Sequence, residues 1–441
     1  MIFLSILAAR LVSGVLRAFR RGATTLPGRV ALFFQYDILT ALSRSTRVIC
    51  VTGTNGKTTT CALLEHALKG AGKSCFVNKS GANMLTGVTT AFLENSTVFG
   101  RCRKDFAILE CDENSLPLIS RYVDAEIIAV TNIFRDQLDR YGEVTHTLGA
   151  IKSSIENTPT ATLVLNADCP LTHSLSRCRN ASLHFGIDGN YGGADISEAR
   201  YCPQCAAELQ YNSRVFAHLG DYRCPRCGYQ RGKVDIKARD IVVLGENGAR
   251  FELGTDDTFY PFQTSLGGIY NVYNVLCAAT VLRALGVGDV MLLGDFSGAF
   301  GRMENFADEN SRVLLLLVKN PVGFSSCAAY AAKLTGYENL IIALNDNAAD
   351  GRDVSWIWDA ELDCLRGTAY RIYTFGTRAG DMTLRLKYNY LTVTETVEGD
   401  NPALLEHIIS GENTVIMANY TAMMRIRPAL RRRFGGKEFW E

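Results

Sequence analysis

The residues best suited to chemistry lie in GTNGKTTT, residues 53–60, where an apolar run gives way to a helical pattern. Backbone N–H groups at a helix start favour a phosphate, and Lys57 adds a positive charge toward the β and γ phosphates of a nucleotide. The Thr58 hydroxyl can ligate Mg²⁺. The motif is a variant, because Val51 stands where the full phosphate-loop pattern has glycine. The alternative, a glycine turn that only caps a helix, would not require lysine followed by three threonines.

A carboxylate in the next predicted strand is a candidate metal ligand. The segment DFAILECDE, residues 105–113, reads as a strand buried on both faces, and Glu110 stands where it ends. Functional groups collect at the carboxyl ends of parallel strands, and Mg²⁺ prefers oxygen ligands. We therefore predict that Glu110 binds Mg²⁺ together with Thr58. The alternative is a surface acid beside Asp112 and Glu113, or a helix cap.

Four cysteines form a second chemical pattern. They make two C-P-x-C knuckles separated by eighteen residues, in an insertion of about 198–234, and they are Cys202, Cys205, Cys224 and Cys227. This spacing is typical of structural zinc, in which four thiolates complete the tetrahedron and leave no position for water. Disulfides are the alternative. The other ten of the fourteen cysteines are scattered singly, as reduced thiols are, which indicates a cytosolic protein.

The third cluster, LNDNAADGRDVSWIWD at residues 344–359, combines four aspartates with two of the three tryptophans. We call it the acidic loop. The segment NLIIALND reads as a parallel strand, so the acidic loop leaves its carboxyl end, where doubly wound sheets carry functional residues. The segment SWIWDAEL is predicted to begin a helix. On these residues alone Asp353 reads as a helix cap, because aspartate is favoured just before a helix.

Composition bounds the class of protein. The 441 residues are 47% hydrophobic and 21% charged, which is ordinary for a soluble protein of two or three domains. The formal net charge is +1, so the protein as a whole lacks the excess of positive charge that is typical of nucleic-acid-binding proteins. A zinc-ribbon ATPase that depends on nucleic acid is still a rival interpretation, because the ribbon carries Arg214, Arg223, Arg226, Arg231 and Lys233.

Alternating strand and helix patterns must position these clusters. They predict an α/β protein whose central ATP-binding domain, residues 46–305, has a parallel sheet with helices on both faces and the zinc ribbon inserted. A long apolar helix opens with Asn271 and Asn274, whose amides can cap it or pair with an adenine edge. The buried strand RVLLLLVKNP then begins a smaller Rossmann-like α/β domain, residues 306–441.

Residues 1–45 are predicted to form an amphipathic helical segment. Its apolar run is too short to span a bilayer, and its charges follow that run instead of preceding it as in a signal peptide. An apolar stripe recurs at helical spacing, with arginines on another side: Leu4, Leu7, Leu11, Val15 and Ala18, against Arg10, Arg17 and Arg21. The helix either packs on its own domain or rests on an anionic membrane surface.

Taken in order, eight segments resemble the MurT family, the Mur-ligase-like subunits of lipid II isoglutaminyl synthases: VTGTNGKTTT, AILECDE, TNIFRDQLDRYGE, the cysteine quartet, GIYNVYN, GRME, VKNPVGF and NDNAADGRDVSWIWD. The resemblance covers nearly the whole chain. It implies an ATP- and Mg²⁺-dependent carbon–nitrogen ligase that works with a GatD-type glutaminase. Its implied substrate is the α-carboxylate of D-glutamate in the lipid II stem peptide or a related precursor, amidated to D-isoglutamine through an acyl phosphate.

The resemblance also assigns roles to single residues. It places adenine on Asn271 and Asn274, Mg²⁺ on Thr58 and Glu110, and phosphates on Arg302. The phosphate loop supplies the remaining contacts, from Gly53, Thr54, Asn55, Gly56, Lys57, Thr58 and Thr59.

At the partner interface, Asp353 is implied to complete the glutaminase's Cys and His, with Asp350 and Asp359 as substitutes. Trp356 and Trp358 are candidate anchors of that contact. The implied location is the cytoplasm or the cytoplasmic face of the membrane, with no nucleic-acid partner.

Two sequence motifs differ from those of ordinary Mur ligases, and both differences argue against the addition of an amino acid. The chain has Asp-Gln-Leu-Asp at 136–139 where those enzymes usually have Asp-His-Leu-Asp, and Leu-Val-Lys-Asn-Pro at 317–321 in place of their Asp-Tyr-Ala-His signature. No position can be assigned to the carbamylated lysine that many of them use. A stand-alone Mur-type amino-acid ligase is nevertheless the main alternative function.

Overall fold

Three sheets and the helices that cover them make up the described part of the chain. The computed structural model describes residues 2–18, 24–78, 82–135, 144–191, 199–245, 248–255, 258–296 and 303–435. The strands there are β1 (Arg47–Thr52), β2 (Cys75–Val77), β3 (Phe106–Glu110), β4 (Ile127–Val130), β5 (Thr162–Asn166), β6 (Ser182–Ile187), β7 (Gln210–Phe216), β8 (Leu219–Arg223), β9 (Ile236–Val243), β10 (Ala249–Gly254), β11 (Phe259–Thr264), β12 (Met303–Ala307), β13 (Arg312–Leu317), β14 (Asn339–Ala343), β15 (Arg371–Gly376), β16 (Val393–Glu398) and β17 (Thr414–Ala418).

The helices divide between the two halves of the chain. They are α1 (Ile2–Ala18), α2 (Leu26–Phe34), α3 (Ile38–Ser43), α4 (Lys57–Gly70), α5 (Leu85–Asn95), α6 (Leu116–Ile119), α7 (Val144–Asn157), α8 (Pro170–Ser174), α9 (Ile269–Leu285), α10 (Pro321–Ala331), α11 (Ala379–Tyr388), α12 (Glu406–Ile409) and α13 (Tyr420–Phe434). Short 3₁₀ helices include Ser355–Asp359 and Asp363–Leu365.

The central sheet has nine strands in the order β11-β10-β9-β6-β5-β4-β1-β3-β2. The strands from β2 to β6 pair in parallel, as does β9 with β6, whereas β10 and β11 are antiparallel additions. This confirms the predicted parallel sheet. The register pairs Val51 with Glu110 and Thr52 with Val130, so the carboxyl ends of β1, β3 and β4 meet at one edge.

The second sheet has six strands in the order β12-β13-β17-β14-β15-β16 and is parallel except for β12. Alternate residues of β13 belong to different cores: Leu314 and Leu316 lie in one buried cluster, Val313 and Leu315 in another. Burial on both faces explains why this strand reads as an unbroken apolar run. We call this half the C-terminal sheet.

The insertion that carries the four cysteines is not a detached module. Its hairpin, β7 and β8, forms a two-stranded sheet. Val215, Ala217 and Leu219, at the tip of the hairpin, belong to the main core, whereas Leu209 and Tyr222 join the cysteines in a small core of their own. One end of the insertion is therefore part of the half that contains the nine-stranded sheet.

Helix α1 forms as predicted but packs through a different face. Ile6 and Ala9 are buried, and the Arg10 guanidinium donates to the carbonyl of Ser96. The predicted stripe lies outside, since its described members are 42–65% exposed: Leu4, Leu7, Leu11 and Val15. The helix therefore packs on its own domain, the first of the two predicted alternatives, but through Ile6 and Ala9 and not through the predicted stripe. In the described ranges no helix combines the length and hydropathy needed to cross a bilayer.

Candidate active site

Two glycines hold the phosphate loop between β1 and α4 in shape. Gly53 and Gly56 have positive φ angles of 116° and 89°, a conformation that side chains rarely adopt. A Cβ atom on Gly56 would lie 2.0 Å from the Oδ1 atom of Asn274, and one on Gly53 would lie 2.7 Å from the carbonyl oxygen of Asn132. Conformation and space therefore both require glycine at these positions.

Lys57 begins α4, and its charge is compensated inside the protein. Its Nζ atom donates to the carbonyl of Gly53 at 2.5 Å and lies 3.2 Å from Oε1 of Glu113. The two side chains of the ion pair are only 6% and 5% exposed. Sequence reasoning placed Glu113 among surface acids, and nothing in the residue pattern distinguishes it from its neighbours. A phosphate in this loop would compete with Glu113 for Lys57.

Asn55, at the tip of the loop, is held from both halves of the chain. Its N–H donates to Oδ1 of Asn132 at 2.9 Å, and its carbonyl accepts from Oγ1 of Thr131 at 2.7 Å. Its own Oδ1 atom accepts from Nδ2 of Asn320 at 3.0 Å. Asn320 also caps α10, because its Oδ1 atom accepts from the N–H of Gly323. This link between the phosphate loop and the C-terminal sheet was not predicted.

Asn271 and Asn274 lie in the first turns of α9, as predicted. Nδ2 of Asn274 donates to Oδ1 of Asn271 at 2.9 Å, and Nδ2 of Asn271 donates to the Gly267 carbonyl at 2.7 Å. Since Oδ1 of Asn274 fills the space beside Gly56, the pair supports the phosphate loop. The proposed contact with adenine stays a prediction.

Glu110 is buried at the sheet edge from which α4 begins. It is 5% exposed, and its N–H donates to Oδ1 of Asn78 at 2.7 Å. Thr58, the second residue of α4, supplies a hydroxyl near the same edge. A carboxylate and a hydroxyl beside a buried lysine suit a magnesium–nucleotide site, because Mg²⁺ takes oxygen ligands and phosphates together. The assignment of these two ligands stays a prediction.

A cleft separates the phosphate loop from the C-terminal sheet. From the central half it is lined by residues that include Asn55, Gly56, Thr59, Tyr270, Asn271 and Asn274; from the other half by residues that include Met303, Lys319, Val322 and Ser326. A nucleotide whose phosphates lie on the loop would therefore face the second sheet. Arg302, assigned to phosphates by resemblance, lies outside the described residues, as do Asp136 and Asp139.

The four predicted zinc ligands converge. All four Sγ atoms lie within 4.8 Å of one another, with Cys202 and Cys227 3.6 Å apart and Cys205 and Cys224 3.4 Å apart. Tetrahedral zinc with bonds of about 2.3 Å places its sulfurs about 3.8 Å apart, so the cluster fits the ion. Burial favours a higher pKa for the Cys224 thiol, but backbone N–H groups of Cys227 and Arg226 outweigh it and lower the pKa to about 6.

A buried ion pair ties the insertion to the nucleotide side of the sheet. Nε of Arg231 donates to Oδ1 of Asp168 at 2.6 Å, and Asp168 is fully buried. Oδ2 of Asp168 accepts from the Tyr273 hydroxyl at 2.7 Å. Burial raises the pKa of Asp168, and the charge of Arg231 opposes that rise. Tyr273 lies between Asn271 and Asn274 on α9, so the insertion and the cleft share this helix.

The acidic loop begins after β14, and its aspartates differ in surroundings. Asp353 is exposed; its Oδ1 atom accepts from the N–H of Ser355 at 2.8 Å, which lowers its pKa. Asp350 is buried and accepts from the N–H of Thr421, and its desolvation raises its pKa. Asp359 pairs with Arg135 at 3.4 Å. The predicted helix is wrong in type: Ser355–Asp359 is a 3₁₀ helix whose N-cap residue is Val354, and the hydrogen bond from Ser355 to Asp353 is a local turn and not a helix cap.

The two tryptophans of the acidic loop have different environments. Trp356 is buried against Phe324, with ring centroids 6.0 Å apart. Trp358 is 45% exposed, packs edge-on against Tyr388 and lies above the guanidinium of Arg385. Only Trp358 of the two is therefore available to a partner.

Two family models match the sequence: one described as Mur ligase middle domain, over residues 51–205, and one described as MurT ligase C-terminal, over residues 317–423. The MurT subunit of lipid II isoglutaminyl synthase (glutamine-hydrolyzing) from Streptococcus pneumoniae is 37% identical, over 97% of this chain and 96% of that protein. The chain belongs to the MurT family. The MurT subunit from Staphylococcus aureus is 34% identical, over 97% of both chains.

Solved structures share the fold at lower identity. The pseudomurein peptide ligase type C from Methanothermus fervidus superposes with a TM-score of 0.68 at 22% identity, over 90% of this chain and 80% of that chain. A MurF ligase from Thermotoga maritima, in complex with ADP, gives 0.63 at 15% identity, over 94% and 84%. The predicted Mur-ligase-like α/β fold and the resemblance to MurT are thus confirmed.

Proposed function

We propose that this chain is the MurT-type subunit of a lipid II isoglutaminyl synthase. It uses ATP to amidate the α-carboxylate of D-glutamate in the stem peptide to D-isoglutamine, with ammonia from a GatD-type glutaminase. The observation that supports this best is the cleft in which the phosphate loop, with its buried Lys57, faces the C-terminal sheet. Relatives that match both halves over nearly their whole length are named for this synthase.

The reaction needs two displacements. A carboxylate oxygen of the substrate attacks the γ-phosphorus of ATP, and ADP leaves. Ammonia then attacks the carbonyl carbon of the acyl phosphate. The bond from that carbon to the phosphate oxygen breaks, so that inorganic phosphate leaves and the amide is formed. Lys57 stabilises charge on the transferred phosphoryl group, while Thr58 and Glu110 would hold Mg²⁺, which would supply positive charge to offset that of the nucleotide phosphates.

Asp353 is the residue that we expect to complete the glutaminase site by orienting the partner's histidine. A histidine base is oriented by an ionised carboxylate, and Asp353 combines a lowered pKa with exposure at the carboxyl end of β14. Asp350 is turned inward toward Thr421, and Asp359 is already paired with Arg135. These contacts make both substitutes weaker candidates.

The remaining assignments follow from the same proposal. Zn²⁺ in the ribbon, residues 198–234, is structural; residues 46–305 form the ATP-binding domain and residues 306–441 the domain that meets the glutaminase. Asn271, Asn274 and Arg302 contact the nucleotide. The protein is cytoplasmic, and the lipid-linked substrate in the relatives' name supports a location at the cytoplasmic face of the membrane.

Mass spectrometry of lipid II tests this proposal. The chain is incubated with lipid II, ATP and Mg²⁺, once with ammonium alone and once with the glutaminase and glutamine. We expect one carboxyl to become an amide in both, with glutamine effective only when both subunits are present. Asp353→Ala should abolish the glutamine reaction and leave the ammonium reaction intact, whereas Asp381→Ala, which alters a partly exposed acid on α11, should change neither.

Other results would redirect the assignment. If glutamine turnover survives Asp353→Ala, that residue does not complete the partner's site. ATP hydrolysis stimulated by an amino acid, with no amide formed, would favour the stand-alone ligase. Stimulation by nucleic acid would favour the zinc-ribbon ATPase, although Arg231 of that ribbon is committed to Asp168 and Asp188.

A further inference from the structure

An apolar surface covers the outer side of the amino-terminal helices. It consists of the exposed stripe of α1, the exposed side of α2 and the turn after α5: Phe3, Leu4, Leu7, Leu11, Val15, Leu26, Phe33 and Phe99. The exposed fractions reach 85% at Phe33 and 82% at Phe99. Phe3 and Phe99 stack with centroids 6.2 Å apart, which joins α1 to the turn. Eight exposed large apolar side chains on elements that contact one another are typical of an interaction site.

A basic cleft of about 900 Å³ adjoins this apolar surface. Six of its lining residues are basic: Arg44, Arg47, Lys73, Arg101, Arg103 and Lys104. Asp105 is the one acid among the described residues that line it, and Ser74 already donates to its carboxylate from N–H and hydroxyl. Arg47 is paired with Glu126, so five cations give the cleft its charge.

The two features are continuous in the fold. The turn that carries Phe99 runs directly into Arg101 and Arg103. A Cβ atom on Gly100 would lie 3.2 Å from Ile2, so the first turn of α1 touches the rim of the cleft. The amino-terminal sequence has an excess of positive charge, because residues 1–47 contain seven arginines and a single acid, Asp37.

An apolar face bordered by cations matches one kind of partner. Apolar side chains enter the boundary between lipid head groups and acyl chains, while arginine and lysine side chains meet anionic phosphates. We infer that the amino-terminal helices and the basic cleft together form a docking surface for an anionic phospholipid bilayer. A second copy of this chain is a poorer occupant, because its own cationic cleft would repel the first.

The location of this surface leaves the reaction sites open. The cleft lies where β1 and β3 begin, at Arg47 and Phe106. The phosphate loop and Glu110 lie where the same strands end. A bilayer on one edge of the sheet therefore does not cover the nucleotide cleft at the other edge. The inference extends the proposed function, which gives the chain a lipid-linked substrate, but its test needs no catalysis.

Vesicle co-sedimentation of the full chain tests the inference. We expect binding to vesicles of equal parts phosphatidylglycerol and phosphatidylcholine, weakening as salt rises, and little binding to pure phosphatidylcholine. Leu7→Glu/Leu11→Glu should reduce binding at least tenfold. Arg101→Ala/Arg103→Ala should reduce it about fivefold for each cation removed. Matched controls elsewhere, Leu404→Glu and Lys152→Ala, should bind like the parent.

The variants also guard against loss of fold. All four altered surface residues are exposed, so each variant should keep the parent's melting temperature and its ammonium-dependent amidation of a lipid-free precursor. The inference is overturned if the parent fails to sediment with anionic vesicles, or if surface and control variants weaken binding equally. It is also overturned if Leu7→Glu/Leu11→Glu dissociates a dimer in ultracentrifugation without changing vesicle binding. Loss of amidation with vesicle binding intact would instead count against the proposed function.

Discussion

At the scale of single residues, the phosphate loop is organised around a buried positive charge. Lys57 and Glu113 are each about as buried as core residues, and their ion pair keeps the lysine inside before any phosphate arrives. Burying two charges carries an unfavourable desolvation free energy, and the attraction between the charges offsets only part of it. The site therefore holds a lysine that a phosphate group can recruit in exchange for Glu113.

We predict that Lys57→Ala lowers both glutamine- and ammonium-dependent amidation by about 100- to 1,000-fold, because a charge that stabilises phosphoryl transfer is lost. It should also destabilise the fold by about 3–5 kcal/mol, since Glu113 is left buried without its partner. Initial rates and thermal unfolding measure the two effects. Lys69→Ala, on the exposed end of α4, is the control and should change neither.

A double variant separates the two roles of the lysine. Lys57→Ala/Glu113→Ala removes both charges, so it should regain stability without regaining activity. Recovered activity in the double variant would show that Lys57 acts only by holding the fold together.

At the scale of secondary-structure elements, the sequence predicted what depends on local pattern. The strand, glycine turn and helix around Lys57, the strand ending at Glu110 and the cysteine spacing all follow from residue type and periodicity. The sequence could not show which face of α1 is covered, because Ile6 and Leu7 are equally apolar and the choice depends on tertiary packing against α2 and α5. The Asn55–Asn320 bond was likewise hidden, since it joins residues far apart in the chain.

In the insertion, cysteine spacing was enough to predict the zinc ligands, but it could not predict how the insertion contacts the rest of the protein. The cysteine spacing predicts a ribbon. The pairing of Arg231 with Asp168 and the packing of Leu219 in the main core, however, depend on tertiary contacts. Through Tyr273, these contacts reach the helix that supports the phosphate loop. We therefore expect zinc to matter for the nucleotide cleft.

We predict that removing zinc with a zinc-selective chelator, in the presence of excess Mg²⁺, lowers the melting temperature by several degrees and weakens ATP binding. Metal analysis should first find one zinc per chain, and added Zn²⁺ should restore both properties. An unchanged melting temperature after the four thiols become titratable would mean that the ribbon does not brace the cleft.

At the scale of the whole molecule, the two sheets meet at the nucleotide cleft and present separate outer surfaces. The C-terminal sheet exposes Trp358 beside Tyr388, on the same loop as Asp353. A large aromatic residue supported by an arginine resembles the anchors that dominate protein interfaces. This is the surface on which we expect the glutaminase to dock.

We predict that Trp358→Ala weakens binding of the glutaminase by at least about 2 kcal/mol, or roughly 30-fold in Kd, because interface anchors of this kind carry much of the binding energy. Isothermal titration calorimetry measures the change. Tyr260→Ala, which removes an even more exposed aromatic on β11 of the central sheet, should leave the Kd unchanged. A Kd within twofold of the parent for Trp358→Ala would place the interface elsewhere.

The hydrogen bond from Asn320 to Asn55 has a consequence for timing. Asn320 fixes the start of α10 and at the same time touches the tip of the loop where ATP is expected to bind. The tip of the loop is therefore in direct contact with the half of the molecule that carries Asp353. Release of ammonia could in this way wait for the nucleotide, so that glutamine is not consumed when no acyl phosphate is ready to receive its nitrogen.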